Sequence, residues 1–212
     1  MGIPDQKGSS NAVQQPALRQ ALRARILDAA RRIVTRDGFT SLSMRKIADA
    51  IGYSPASIYL YFENRDEIAR ALGHEGHAQL LAQLEPLVLI ADPRERLRAL
   101  AQTYVAFGRA HPQTYRAVFI DVPGAADPGG QIVALFADAL DAVHGADGAA
   151  RAEAFWATLH GMVALSLTCP GFPRSPLGQV VDAALDAWSG AQAGAPTDAG
   201  TCVAKRTKAS TT

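Results

Sequence analysis

Apolar residues recur at helical spacing along most of the chain. Positions three and four residues apart are apolar and polar residues lie between them, a pattern that predicts amphipathic helices. The clearest such stripe lies near the C-terminal end: Leu177, Val180, Val181, Ala184, Leu185 and Trp188. The alternation of polar and apolar residues that a half-buried strand needs is found nowhere in the sequence. The pattern therefore predicts an all-α protein.

Prolines, glycines and changes in composition divide the chain into four parts. Residues 1–16 are polar and predict a flexible N-terminal arm. We predict a small head over residues 17–64, a larger helical body over residues 65–189, and a disordered tail over residues 190–212. The first helix is predicted over residues 17–37. Within the body we predict six helices and a Pro/Gly-rich loop over residues 121–130, the helices covering about 64–85, 93–108, 112–119, 132–144, 151–168 and 175–189.

The segment after the first helix predicts two short helices joined by a tight turn. Ser43 stands where an N-cap belongs, ahead of an apolar face formed by Met44, Ile47, Ala48 and Ile51. Gly52 would end that helix in the left-handed conformation, and Ser54 with Pro55 would start the next one. Asn64 is the predicted N-cap of a fourth helix, with Glu67 as its capping-box partner.

The second short helix would keep a polar and aromatic surface exposed. Ile58 and Phe62 must pack on neighbouring helices, because so short a helix cannot bury them alone. The other side chains, which are small, hydroxylated or aromatic, are Pro55, Ala56, Ser57, Tyr59 and Tyr61. A protruding helix with these residues fits a DNA major groove.

This segment resembles the helix-turn-helix of TetR-family transcriptional regulators over roughly residues 20–70. The residues that fill the family pattern are Ile47, Ala48, Gly52, Ser54, Ile58, Tyr59, Tyr61, Phe62, Arg65 and Ile68. The family often has His where Tyr61 stands and Lys where Arg65 stands. The resemblance implies a homodimer that binds a double-stranded DNA operator, with the last two helices of each protomer forming a four-helix interface. The stripe from Leu177 to Trp188 agrees with that expectation.

The expected DNA contacts combine helix caps, hydroxyl groups and cations, which suit phosphates and base edges. These candidates are Ser43, Arg45, Ser54, Pro55, Ala56, Ser57, Tyr59, Tyr61 and Arg65. Residues 1–62 carry nine Lys/Arg and four Asp/Glu, whereas the remainder carries twelve and sixteen, so the head is basic and the body acidic. Arg19 and Arg23 either follow phosphates or form a solvated face. Arg31, Arg32 and Arg36 fit a solvated helix face better.

Aromatic residues of the body are candidates for a small-molecule site. The run FWATLHGMVAL, with Phe155, Trp156, His160 and Gly161, resembles the Trp-His-Gly motif of one subclass of TetR-like C-terminal domains. The candidate lining residues for a small lipophilic or aromatic ligand are Tyr104, Phe107, Tyr115, Phe119, Trp156 and His160. A simpler interpretation of Trp156 and His160 is a packed or dimer-facing pair.

Other function classes find little support. The sequence has no Gly-rich phosphate loop, nucleophile elbow or zincin motif, so we expect neither an enzyme nor a bound cofactor. His74, Glu75 and His77 resemble a metal site, but we expect ordinary helical residues because no third ligand has suitable spacing. Free thiols at Cys169 and Cys202, no signal peptide and no long apolar run predict a cytoplasmic protein without a membrane span.

The sequence thus predicts a transcriptional repressor that a small molecule releases from a palindromic operator. The alternative is a constitutive DNA-binding protein without ligand control. A helical enzyme with an accessory head is a more distant alternative, and turnover of a metabolite by the purified protein would revive it.

Overall fold

The computed structural model describes residues 9–120, 128–145 and 148–188. In these ranges the chain forms nine α-helices and two 3₁₀ turns, and no strand. The helices are α1 Ser9–Asp37, α2 Met44–Ile51, α3 Pro55–Tyr59, α4 Arg65–Leu84, α5 Pro93–Ala110, α6 Pro112–Phe119, α7 Pro128–His144, α8 Gly148–Thr168 and α9 Leu177–Trp188. The 3₁₀ turns are Phe39–Ser41 and Glu85–Leu89. The predicted all-α fold, with an N-terminal helix-turn-helix and a helical C-terminal body, is confirmed.

The predicted caps of the helix-turn-helix are present. The Ser43 hydroxyl oxygen accepts a hydrogen bond from the Lys46 amide at 3.2 Å and begins α2. Gly52 ends that helix with φ of 72°, a conformation that costs a side chain with Cβ roughly 1 kcal/mol or more. The Ser54 hydroxyl oxygen accepts from the Ser57 amide at 3.3 Å and begins α3. These local bonds fix the turn that sets the two helices at an angle.

Asn64 caps α4 as predicted, but its capping-box partner Glu67 bonds the amide one residue before the cap rather than the Asn64 amide. Its side-chain oxygen accepts from the Glu67 amide at 2.9 Å, and the Glu67 carboxylate accepts from the Glu63 amide at 2.6 Å. The Asn64 cap leaves one fewer orphan donor at the start of α4, and the Glu67 carboxylate holds the residue that precedes the cap.

Some helix ends differ from the predictions. α1 begins at Ser9 rather than at residue 17, so the predicted arm is helical over residues 9–16 and α1 runs through Pro16. Pro16 is the eighth residue of α1, where its ring removes one backbone hydrogen bond and crowds the carbonyl of the preceding turn. α7 begins at Pro128, inside the predicted loop, because proline suits the first turn. The other residues of the predicted arm, loop and tail, 1–8, 121–127 and 190–212, lie outside the described residues.

The buried side chains form two separate clusters, one in the head and one in the body. The head cluster is built by α1 to α4, with Ile26, Ile33, Leu42, Ile47, Ile58, Phe62, Ile68 and Leu72 among its members. The body cluster includes Leu80, Leu84, Tyr104, Tyr115, Phe136, Phe155, Val163, Val181 and Leu185. α4 contributes Ile68 and Leu72 to the first and Leu80 and Leu84 to the second, so one rigid helix joins both cores.

The middle of α4 packs closely against α6. A Cβ at Gly73 would lie 3.2 Å from the Ala117 carbonyl oxygen, and one at Gly76 would lie 2.5 Å from a methyl carbon of Thr114. Both contacts are shorter than ordinary van der Waals separation, so glycine permits this close approach. The backbone of α4 is therefore in direct contact with α6 at these two positions.

The predicted dimer seam on α9 is wrong for three of its residues. Leu177, Val181 and Leu185 are buried in the protomer's own core, with Val181 only 1% exposed. Beside that face, Arg98 of α5 forms ion pairs with Asp182 and Asp186. An amphipathic stripe shows which face is buried, but not whether the neighbour belongs to the same chain.

Candidate nucleic-acid interface and ligand site

The exposed residues of α3 and of the start of α2 form a small surface, which we call the recognition surface. Its residues are Arg45, Lys46, Pro55, Ala56 and Tyr59. Pro55 and Ala56 are exposed, and Tyr59 is 54% exposed, so its ring is free of the core. Ile58 is fully buried on the opposite side and anchors α3 to the head cluster. The geometry allows the N-terminal part of α3 to enter a groove, as in other helix-turn-helix proteins.

Two of the predicted base contacts are less accessible than Tyr59. Ser57 is half-buried, and its hydroxyl shares a 3.0 Å hydrogen bond with the hydroxyl of Ser54. Tyr61 is half-buried and packs against the head cluster. A contact from Ser57 to a base would compete with this local bond.

Exposed arginines lie before and after α3 in the sequence. The Arg45 side chain is 86% exposed and lies 3.9 Å from the Asp49 carboxylate. Arg65 lies 3.3 Å from the Asp66 carboxylate. Exposed pairs of this kind contribute about 1 kcal/mol or less, so phosphates can displace the carboxylates. Lys46 is exposed beside Arg45 but was not among the predicted DNA contacts. As a cation one residue after Arg45 in the first turn of α2, it could have been predicted on the same grounds.

The arginines of α1 divide into two groups. Arg31, Arg32 and Arg36 form ion pairs with Asp28, Asp37 or Glu75, as fits the predicted solvated face. Arg19 and Arg23 are also exposed, and the Arg23 guanidinium lies 4.9 Å from the centre of the Phe62 ring.

Arg25 supports the turn between α2 and α3. Its guanidinium donates to the Ile51 carbonyl at 3.3 Å and lies 5.4 Å from the centre of the Tyr53 ring. Arg25 therefore links α1 to the turn, and Tyr53 joins the candidate interface as a partly exposed aromatic residue that sequence reasoning omitted.

The metal interpretation gains no support within the described ranges. No group of three or more metal-ligating side chains forms there. Glu75, between the two histidines, pairs instead with Arg31 of α1. No helix among the described residues is long and apolar enough to cross a bilayer.

A buried polar cluster lies inside the body, formed by Tyr104, Tyr115, Trp156 and His160. The Trp156 indole donates to the Tyr104 hydroxyl at 3.1 Å, and the hydroxyls of Tyr104 and Tyr115 lie 2.9 Å apart. The Tyr115 hydroxyl lies 2.6 Å from Nδ1 of His160. An indole N–H can only donate, so the Tyr104 hydroxyl accepts from Trp156. Every bond then has one donor and one acceptor if Tyr104 donates to Tyr115 and Tyr115 donates to Nδ1 of neutral His160.

Burial keeps the members of this cluster uncharged. Desolvation raises the pKa of the Tyr104 and Tyr115 hydroxyls well above the ordinary tyrosine value. Desolvation also lowers the pKa of His160 below its usual value. All three groups are therefore neutral near pH 7, and the two tyrosine hydroxyls, the indole N–H and Nδ1 of His160 find their hydrogen-bond partners within the cluster.

The His160 shift predicts acid sensitivity. Because the unfolded chain binds this proton more readily, the free energy of unfolding should fall as pH drops through the ordinary histidine pKa of about 6.5. Urea unfolding between pH 7 and pH 5 measures the slope. His160→Gln should flatten the slope, whereas the exposed His74→Gln should leave it unchanged. Equal slopes in wild type and His160→Gln would contradict the assignment.

Five of the six predicted ligand residues come together at this cluster. The Phe119 ring lies 4.8 Å from that of Tyr115 and 5.7 Å from that of His160. Phe107 is buried in the same core, but its ring packs against His111 at 5.1 Å.

A pocket of about 410 Å³ opens beside this cluster, and we call it the body pocket. Its lining residues are Gly129, Gly130, Val133, Glu153, Trp156 and Ala157. Trp156 belongs to both the pocket and the cluster, whereas the two tyrosines and His160 do not line it.

The recognition surface on a helical body defines the chain as a helix-turn-helix DNA-binding protein. Residues 26–72 match the family described as bacterial regulatory proteins, tetR family, and residues 97–190 match the tetracyclin repressor-like C-terminal domain. The chain belongs to the TetR family of transcriptional regulators, which bind operator DNA, dimerise and are not enzymes. The matched C-terminal domain does not confirm the Trp-His-Gly subclass.

Relatives are similar to this chain over less than half of its length. An HTH-type transcriptional regulator of Mycobacterium tuberculosis is 37% identical over 91 residues, which are 42% of this chain and 44% of that protein. The nicotine-responsive transcriptional repressor HdnoR of Paenarthrobacter nicotinovorans is 38% identical over 80 residues, which are 37% of this chain and 39% of HdnoR. The matches therefore span less than half the length of these relatives.

Solved structures are similar over most of the fold. A protein of unknown function from Rhodococcus sp. RHA1 is 30% identical with a TM-score of 0.61, over 82% of this chain and 96% of that one. AibR, solved with isovaleryl coenzyme A and operator DNA, is 20% identical with a TM-score of 0.58, over 78% and 96% of the two chains. The second similarity concerns the fold alone.

Proposed function

We propose that this regulator is a cytoplasmic, homodimeric repressor that a small lipophilic or aromatic molecule releases from a palindromic operator. The observation that carries the proposal is the double role of α4, which belongs to both the head and the body clusters. Because Gly73 and Gly76 have no side chain, α4 lies directly against α6, and α6 carries Tyr115 of the buried polar cluster. A ligand beside that cluster can thus shift the head through rigid, packed helices.

DNA contact is proposed through the recognition surface and Arg65. Ser43, Ser54, Ser57 and Tyr61 contribute to DNA binding chiefly by fixing the turn and α3, since their side chains cap helices or pack on the head. Phosphates would be held by Arg45, Lys46 and Arg65.

The dimer interface is proposed on the outer face of α8, which we call the outer stripe: Ala154, Thr158, Gly161, Leu165 and Thr168. Leu165 is 44% exposed on this face. The hydroxyls of Thr158 and Thr168 donate to backbone carbonyls of their own helix, so the stripe presents little unsatisfied polarity. A Cβ at Gly161 would meet nothing within 4 Å in the protomer, so a partner helix would explain why glycine stands there.

The ligand part of the proposal is tested by linkage. A ligand found by thermal shift is titrated with and without operator, and its affinity should fall with operator by about 5- to 150-fold, the same factor by which it weakens operator binding. Val133→Phe should fill the body pocket and weaken ligand binding, whereas Val143→Phe on the same helix lies outside the pocket and serves as the matched control. Equal ligand affinity in both titrations would contradict ligand control.

A constitutive DNA-binding protein is the second candidate. It is favoured by the buried polar cluster, whose hydroxyl, indole and imidazole groups bond to one another rather than facing a cavity. If no ligand changes operator affinity while the operator is still bound, this candidate replaces the ligand-controlled repressor.

A further inference from the structure

A second and larger pocket lies at the junction of the head and the body, and we call it the junction cleft. Its volume is about 720 Å³, within the range of small-molecule sites. The turn after α1 and the first turns of α4 form its head side, and the start of α6 with the end of α8 form its body side. The cleft shares no lining residue with the body pocket.

The charge of the junction cleft is positive. Arg65, Arg70 and Arg116 line it, and Asp66 is the acidic residue among its lining residues. The Asp66 carboxylate already pairs with Arg65 at 3.3 Å. Arg70 is half-buried and has no hydrogen-bond or ion-pair partner in the described ranges. A partly desolvated guanidinium without a partner favours an anion, which it can bind through two parallel hydrogen bonds.

The remaining walls of the cleft are partly apolar. Phe39, Ala69, Pro112 and Leu167 supply hydrocarbon surface next to the three arginines. A ligand that matches both the arginines and the apolar walls carries a carboxylate or phosphate group attached to an apolar hydrocarbon portion. Inorganic ions alone would leave the apolar wall in contact with water.

We propose that the junction cleft binds a small amphipathic organic anion, and that this anion opposes operator binding. Arg65 lines the cleft and is also the proposed phosphate contact at the start of α4, so an anion in the cleft competes with DNA for the same guanidinium. The anion also bridges Arg70 of α4 and Arg116 of α6, which fixes the orientation of the head on the body. This site is separate from the ligand site of the proposed function. Binding of the anion to the cleft does not require operator DNA.

The test uses octyl phosphate and octanoate as anionic probes, with 1-octanol as the uncharged comparison, in calorimetric titrations of the full chain. We expect one anion per chain and much weaker binding of 1-octanol. Arg70→Gln and Arg116→Gln should each weaken binding of the anions by about tenfold or more, as loss of a charge-assisted contact does. Arg109→Gln, an exposed arginine outside the cleft, should have no effect. Anion affinity unchanged in both cleft variants, or equal binding of 1-octanol, would overturn the proposal.

A second measurement separates the junction cleft from the body pocket. Octyl phosphate should reduce operator affinity of the wild-type protein and should do so much less in Arg70→Gln, whose folding is checked by circular dichroism. If Trp156→Phe abolishes octyl phosphate binding while Arg70→Gln retains it, the anion occupies the body and the proposal is wrong. An operator affinity that octyl phosphate leaves unchanged would overturn the competition at Arg65.

Discussion

Leu165→Glu is expected to sediment as a monomer and to lose tight operator binding. It would place a carboxylate in the middle of the outer stripe, where a partner helix would bury it without a counter-charge, and this costs several kcal/mol. Since each 1.4 kcal/mol is a factor of about ten, dimerisation should weaken by about a hundredfold or more. A monomer reaches one half-site only, so operator affinity should fall with it. Analytical ultracentrifugation and a band-shift titration measure both effects.

The control for this variant is another exposed leucine. Leu89→Glu changes a side chain that is 84% exposed in the turn after α4, away from α8, and should leave the dimer intact. Val181→Glu should instead unfold the body, because Val181 lies in the protomer's own core. A Leu165→Glu protein that remains dimeric would place the interface away from the outer stripe.

Arg65→Ala is expected to weaken binding to every operator variant and to flatten the salt dependence of the logarithm of the affinity by about one. The same result is expected for Arg45→Ala. Tyr59→Ala should instead change the ranking among operator variants, because its exposed ring lies on the recognition surface that we propose enters the groove. Band shifts at several salt concentrations on a small operator library separate these two effects.

Arg109→Ala provides the matched control for the arginine variants. It removes an exposed arginine from α5, in the body, and should leave both affinity and salt slope unchanged. If Arg65→Ala keeps the wild-type salt slope, Arg65 holds no phosphate and its assignment is wrong.

The helix-turn-helix could be predicted from the sequence because its determinants are local. Ser43, Ser54 and Asn64 each cap a helix within three residues of the amide they bind, and Gly52 adopts the left-handed conformation that its position required. Short-range signals of this kind can be recognised in a sequence without knowledge of the tertiary fold.

The body could be predicted only as a set of helices. The stripe on α9 was visible, but its burial by α5 rather than by a partner depends on how the helices are arranged. The buried polar cluster joins residues 45 and 52 positions apart, which no periodicity reveals. The junction cleft combines side chains from α4, α6 and α8, and it was likewise invisible until the helices were packed.

DNase footprinting of the full chain on DNA selected from random sequence tests the central claim most directly. A dimeric TetR-family regulator should protect a palindrome whose half-sites lie about 10 bp apart or somewhat more, on one face of the duplex, with protection that fades steeply as salt rises. Protection without two-fold symmetry, or binding that is indifferent to salt, would contradict a dimer that reads DNA through two recognition surfaces.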